Sequence, residues 1–163
     1  MAKMGQFDIK GLKELQKQLN KIQQNQIEAF VDACAKELAA RLLAKVIKRT
    51  PVGQYPKSSG KKGGTLHRGW TSKTYDEAKS GKKASAKAYA DSLTIHHYGN
   101  TLVIEIVNPV EYASYVEFGH RTANHKGWVP GKFMLTTSEQ EIQNIAPKVL
   151  EDKIKKLLGG CFQ

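Results

Sequence analysis

Apolar positions along this chain recur with a helical period in its first and last thirds, alternate singly over one stretch near residue 100, and thin out in between. In "QIEAFVDACAKELAARLLAKVIKRTP", Ile27, Phe30, Val31, Cys34, Leu38, Leu42 and Val46 fall along one side of a helix. Leu43 and Ile47 widen that stripe, Lys45, Lys48 and Arg49 suit the negative end of the helix dipole, and Pro51 prevents continuation. A shorter helix is expected before it in "FDIKGLKELQKQLNKI", where Ile9, Leu12, Leu15 and Leu19 are three or four apart. From Pro51 to about Ala88 the periodicity dissolves into glycine, serine, lysine and proline, the composition of a mobile surface segment. Within it only "GTLHRGW", residues 64–70, has the look of a strand.

The alternating stretch is "SLTIHHYGNTLVIEIVNP". Gly99-Asn100 supplies a two-residue hairpin turn, and folding about it pairs Tyr98 with Thr101, His97 with Leu102, Ile95 with Ile104 and Leu93 with Ile106. That register puts Leu93, Ile95, Leu102, Ile104 and Ile106 on one face, which must be covered, and Thr94, His96 and Glu105 on the other. Residues 110–118, "VEYASYVEF", then read as a short helix closed by Gly119. "HRTANHKGWVPGK" reads as a loop. Ser138-x-x-Glu141 forms a capping-box pattern ahead of Ile142, Ile145, Val149, Leu150, Ile154, Leu157 and Leu158, with Pro147 as a kink and Gly159-Gly160 as the end. The expected fold is α+β: a small antiparallel sheet with a central hairpin, packed against a long N-terminal helix and a C-terminal helix. One domain over residues 1–163 is expected, with a flexible basic loop at about 51–90.

Charge sharpens this picture. The formal net charge is +11, yet residues 51–90 carry nine Lys/Arg against two acids, while residues 91–163 carry seven against eight. Any electrostatic role therefore concentrates in the middle segment. No run of about 18 apolar residues is present, so no spanning helix is expected. The N-terminal stretch has no apolar signal region, and Cys34 and Cys161 form no disulfide framework, so a reducing, intracellular place of synthesis is expected.

Candidate chemistry is sparse. His96 and His97 are adjacent on a strand and point to opposite faces, so they do not share an ion. His120 and His125 share a loop but have only Glu117 and Asn124 beside them, a poor zinc set. Cys34 lies on an apolar face, "GKKGGT" lacks phosphate-loop spacing, and no Gly-x-Ser-x-Gly occurs. No catalytic, metal or cofactor residue is expected. Lys57, Lys61, Lys62, Lys73, Lys79, Lys82, Lys83 and Lys87, with Arg68 and with Tyr55, Trp70 and Tyr75 interleaved, allow a nucleic-acid-binding module acting through residues 57–87. The same composition describes a solvated loop equally well.

The order of these elements resembles the tail-component proteins of long-tailed bacteriophages, over nearly the whole chain. The resemblance is carried by "FDIKGLKELQKQL", "KRTPV", "GTLHRGW", "NPVEYASYVEFGH" and "GWVPGKFML". It implies a non-catalytic virion protein of the neck or tail, made in the bacterial cytoplasm. Such a subunit forms a homo-oligomeric ring, commonly six-fold, and meets neighbouring neck proteins and the tail tube or tail terminator, with phage DNA passing close by and no membrane. One departure is the insertion "GQYPKSSGKKG", where the family makes a short turn into a Gly-x-Leu-Arg motif; here His67-Arg68 follows Leu66. Under this reading the expected contacts to a neighbour are Leu66, Arg68, Trp70, Tyr112, Tyr115, Phe118, Trp128 and Phe133, with Lys57, Lys61, Lys62, Lys82 and Lys83 as basic-loop contacts. Tyr112, Tyr115 and Phe118 are expected to anchor their short helix against the hairpin as well.

Overall fold

The computed structural model describes residues 24–161. The short helix expected around Ile9–Leu19 lies outside the described residues.

Helix α1, Gln24–Arg49, is the one the long apolar stripe demands. Cys34, Ala39, Leu43 and Val46 are buried along it, while Ile27 and Val31 near its start are exposed. Thr50 closes it, its backbone N–H and its hydroxyl both donating to the Val46 carbonyl at 2.9 and 2.7 Å.

The segment after Pro51 carries more structure than its composition suggests. A 3-10 turn, Lys57–Ser59, is followed by helices α2, Thr65–Gly69, α3, Tyr75–Ser80, and α4, Ala86–Ser92. The strand expected at residues 64–70 is thus a helical turn. Leu66, Gly69 and Trp70 are its buried positions, the spacing of three and four that a helix needs. Local chemistry builds the next two helices. Thr74 Oγ1 accepts from the Glu77 N–H and Ser85 Oγ from the Ala88 N–H. Ala78 and Ala90 are fully buried, small enough for short helices to lie close on the core.

Strands β1, His96–Tyr98, and β2, Thr101–Val103, pair antiparallel with His96↔Val103, His97↔Leu102 and Tyr98↔Thr101. This is the expected register, and Gly99 holds the positive φ of 58° that its turn requires. The ladder ends sooner than expected, before Ile95 and Ile104, yet the alternation continues: Leu102, Ile104 and Ile106 are half-buried and their neighbours exposed. His97 turns toward α1, with Nε2 3.2 Å from Asp32 Oδ1.

Helix α5, Ala113–Phe118, leads directly into β3, Gly119–Arg121, which pairs with β4, Trp128–Pro130. A second two-stranded sheet therefore replaces the expected loop. Helix α6, Met134–Cys161, starts four residues earlier than the capping-box pattern suggests and runs through Gly159-Gly160. Ser138 is no cap. It is fully buried inside the helix, donates to the Met134 carbonyl at 2.6 Å and accepts from Arg49 at 3.0 Å.

The core joins Leu43 and Val46 to Leu66, Trp70, Val110 and Met134. Around it, ion pairs clamp α1 to α6. Glu141 accepts from Lys45 at 2.6 Å and from Arg49, and Glu37 pairs with Lys153 at 2.7 Å. Hydrogen bonding from Lys45, then Arg49, holds the Glu141 carboxyl below its usual range; Lys153, then Arg41, does the same for Glu37. Both folded-state pKa values are depressed, so this contribution is complete above the unfolded carboxylate value of about 4.3. It fades as pH falls through the folded values. Thermal melting followed from pH 7 to pH 3 is expected to show stability falling below about pH 5, and Glu141→Gln should flatten that fall.

Candidate functional site

The part of the molecule most unlike an ordinary surface is the α5–β3–β4 unit. Its shape starts from which face of α5 turns inward. Ala113 and Val116 pack against the core, and Glu117 is buried at 5% exposure. The Glu117 carboxylate accepts hydrogen bonds from the backbone N–H of Leu135 and Thr136, both at 2.9 Å, and from the Thr136 hydroxyl at 2.8 Å. Those N–H groups belong to the first turn of α6, which has no intrahelical partners for them. With Val116 and Glu117 inward, helical rotation sends Tyr115 and Phe118 outward, at 60% and 61% exposure.

The chain then makes an excursion and returns. Lys132 and Phe133 donate their N–H groups to the carbonyls of Val116 and Glu117 at 2.8 and 3.0 Å. This close crossing needs two glycines. A Cβ on Gly119, whose φ is 87°, would lie 2.5 Å from the Val129 carbonyl oxygen, and one on Gly131 would lie 2.2 Å from that of Glu117. At the tip, Thr122 bonds Gly127 and His125 bonds Thr122 through the backbone. Trp128 on the return strand is 60% exposed, and Phe133 is exposed beyond it.

Measured against expectation, the neighbour-contact residues divide. Tyr112, Tyr115, Phe118, Trp128 and Phe133 are all exposed. The expected packing of Tyr115 and Phe118 against the first hairpin is corrected, because the inward positions of α5 are taken by Val116 and Glu117. Leu66 and Trp70 are corrected too: at 5% and 4% exposure they belong to the core, with Trp70 Nε1 donating to Thr50 Oγ1 at 2.8 Å. Arg68 is a clamp of the fold, its Nε donating to the Ala78 carbonyl at 2.7 Å and its guanidinium reaching that of Gly63. Glu117 gave no signal in the sequence, since its partners are 18 and 19 residues away.

Tyr112 borders a groove of about 470 Å³ between residues 51–66 and α5, with Val52, Tyr55, Lys62 and Val116 among its walls. Burial pushes the Tyr112 phenol upward, with the nearby Tyr55 and Tyr75 next. Lys57 in the 3-10 turn, Lys61 and Lys62 on the loop before α2, and Lys82 and Lys83 on the loop after α3 are all exposed. The histidines stay apart in role. His97 faces Asp32, His120 lies beside Tyr115 with ring centroids 6.0 Å apart, and His125 adopts φ 56° in the tip. Among the described residues, no three His, Cys, Asp or Glu side chains gather as a metal site. Cys34 is buried, and that burial raises its thiol pKa. No helix among the described residues is long and apolar enough to cross a membrane.

Residues 13–119 match the model of the HK97-gp10-like family, described as "Bacteriophage HK97-gp10, putative tail-component". The match stops at Gly119, where β3 begins. No curated protein matches the chain, and no solved structure does.

Proposed function

We propose, on the premise that this chain belongs to the HK97-gp10-like family of bacteriophage tail components, that it is a ring-forming subunit of the neck. In that place it joins the capsid connector to the tail tube as a tail-completion or head–tail joining protein. Its work is to hold protein against protein, without catalysis or cofactor, in a ring with six-fold symmetry. Its neighbours are further copies of itself, the other neck proteins and the tube or its terminator.

One observation supports this reading most directly. Tyr115, Phe118 and Trp128 are each about three-fifths exposed, and they follow one another on an α5–β3–β4 unit whose own anchors are other residues. Side chains of this kind bury large area at low conformational cost and dominate assembly interfaces. Native mass measured by light scattering behind size exclusion, over a range of concentrations, is expected to approach six chains. Phe118→Ala, Trp128→Ala and Tyr115→Ala should each weaken assembly by roughly tenfold or more, a loss of about 1.4 kcal/mol or more per contact, while leaving the melting temperature nearly unchanged. Unchanged mass in all three variants would remove this surface from the ring.

A second reading, a nucleic-acid-binding module, is favoured by the basic segment. Lys57, Lys61, Lys62, Lys82 and Lys83 are exposed, with exposed Tyr55 and Tyr75 nearby in sequence. Affinity for DNA that falls steeply with salt would support it. Protein neighbours are the better reading for these lysines, because a channel gripping DNA tightly would impede ejection.

A further inference from the structure

We infer that copies of this chain join head to tail, the extended edge at residues 103–107 of one pairing with the β3–β4 hairpin of the next. This rests on the ring reading above and specifies which two surfaces meet.

The first observation concerns backbone groups. Past the end of the β1–β2 ladder at Val103, the chain keeps the alternation of a strand. Ile104 and Ile106 pack toward the core, while Val103, Glu105 and Val107 face out. Among the described residues, the backbone N–H and C=O groups of residues 105–107 make no hydrogen bond. An extended edge with one face anchored and its polar groups unpaired is a template for another strand. Among the described residues the β3–β4 sheet has two strands, so each has one strand neighbour and a second edge that could take another. Two isolated two-stranded sheets gain most by completing one another.

The second observation is the distribution of charge. Residues 91–117 contain Asp91, Glu105, Glu111 and Glu117 and no Lys or Arg, and residues 118–133 contain Arg121, Lys126 and Lys132 and no acid. Asp91 is paired with Lys87, and Glu117 is used inside the fold. Glu105 remains exposed on the open edge and Glu111 is exposed four residues past its end, and neither faces a cation within 4 Å among the described residues. Among the described residues, Arg121, Lys126 and Lys132 of the hairpin region have no carboxylate within 4 Å. Each side also bears exposed apolar groups, Val103 and Val107 on one and Phe118 and Trp128 on the other. The two surfaces are complementary and different, which is what a repeating heterologous contact requires, and such a contact closes into a ring when its rotation divides a circle.

Charge reversal tests the pairing. Glu105→Lys and Arg121→Glu are both at exposed positions, and circular dichroism should find both chains folded. Each alone is expected to raise the concentration needed for assembly by about tenfold or more, and the double variant Glu105→Lys/Arg121→Glu should return it to within about threefold of the original chain. Single variants that assemble normally, or a double variant no better than the singles, overturn the inference. If the hairpin cations instead serve DNA, Arg121→Glu would lower a salt-dependent DNA affinity while the native mass stays the same, which also overturns it. For assembly that needs the tail as template, the same three chains are supplied to a phage lacking the gene. Incorporation into tails should fail for both singles and recover in the double, and incorporation of the singles counts against the contact. The ring reading fails separately, if purified tails carry a single copy of the original chain.

Discussion

Glu117→Ala is expected to lower the stability of the fold by about 3 kcal/mol, because it leaves two half-buried backbone N–H groups and a hydroxyl without the ionised acceptor they now share. For a chain of this length that corresponds to melting roughly 10 °C lower. The acceptor is specific in position. Both carboxylate oxygens are engaged, one with Leu135 and one with Thr136, at the end of α6 where the helix dipole favours a negative group. Glu117→Gln keeps one good acceptor but turns an NH₂ toward a donor, so a smaller loss of about 1–2 kcal/mol is expected. Chemical denaturation of the two variants beside the original chain decides the matter. Equal, negligible losses would mean that α6 begins at Met134 without help from Glu117.

Trp70→Ala is expected to cost about 3–5 kcal/mol, the range for removing a buried aromatic side chain and leaving a cavity. Trp70 is 4% exposed, packs with Leu43, Val46 and Met134, and its indole N–H ends on Thr50 Oγ1. That hydroxyl in turn donates a hydrogen bond to the Val46 carbonyl at the end of α1. The indole therefore fills the core and fixes the C-terminus of the long helix together. Trp70→Phe separates the two roles: most of the volume stays and one hydrogen bond goes, for a loss of about 1 kcal/mol from the bond and a further small term for the volume. Urea unfolding followed by circular dichroism measures both. A phenylalanine variant as unstable as the alanine variant would place the weight on the hydrogen bond rather than on packing.

What could be read in the sequence was whatever depends on neighbours along the chain. The stripe from Phe30 to Ile47 announces α1 because its pattern repeats over many turns. Gly99-Asn100 with alternating residues on both sides fixes the first hairpin and its register. The turn at residues 64–70 looks like a strand in the sequence because Gly69, one of three buried positions, has no side chain to reveal the helical spacing. The β3–β4 pair was hidden by its three-residue strands and its basic tip, which look like loop. Ser138 and Glu141 have the residues of a capping box, yet the start of α6 is set by a carboxylate far earlier in the chain. Glu141 binds Lys45 and Arg49 instead. Exposure of the aromatic residues was equally illegible, since it depends on which side of α5 faces the core, and that is decided by Val116 and Glu117.

Residues 118–131 leave the fold and re-enter it through two backbone bonds, Lys132 to Val116 and Phe133 to Glu117, over a crossing that Gly119 and Gly131 make possible. The excursion is thus latched at its base, and little of the core passes through it. Tip residues 122–127 can change in length or character while the latch and the helices beneath keep their shape. Partner choice and fold stability become separable traits, free to drift at different rates: related chains can keep the frame and exchange the fingertip, and an engineered chain can carry a new recognition loop there.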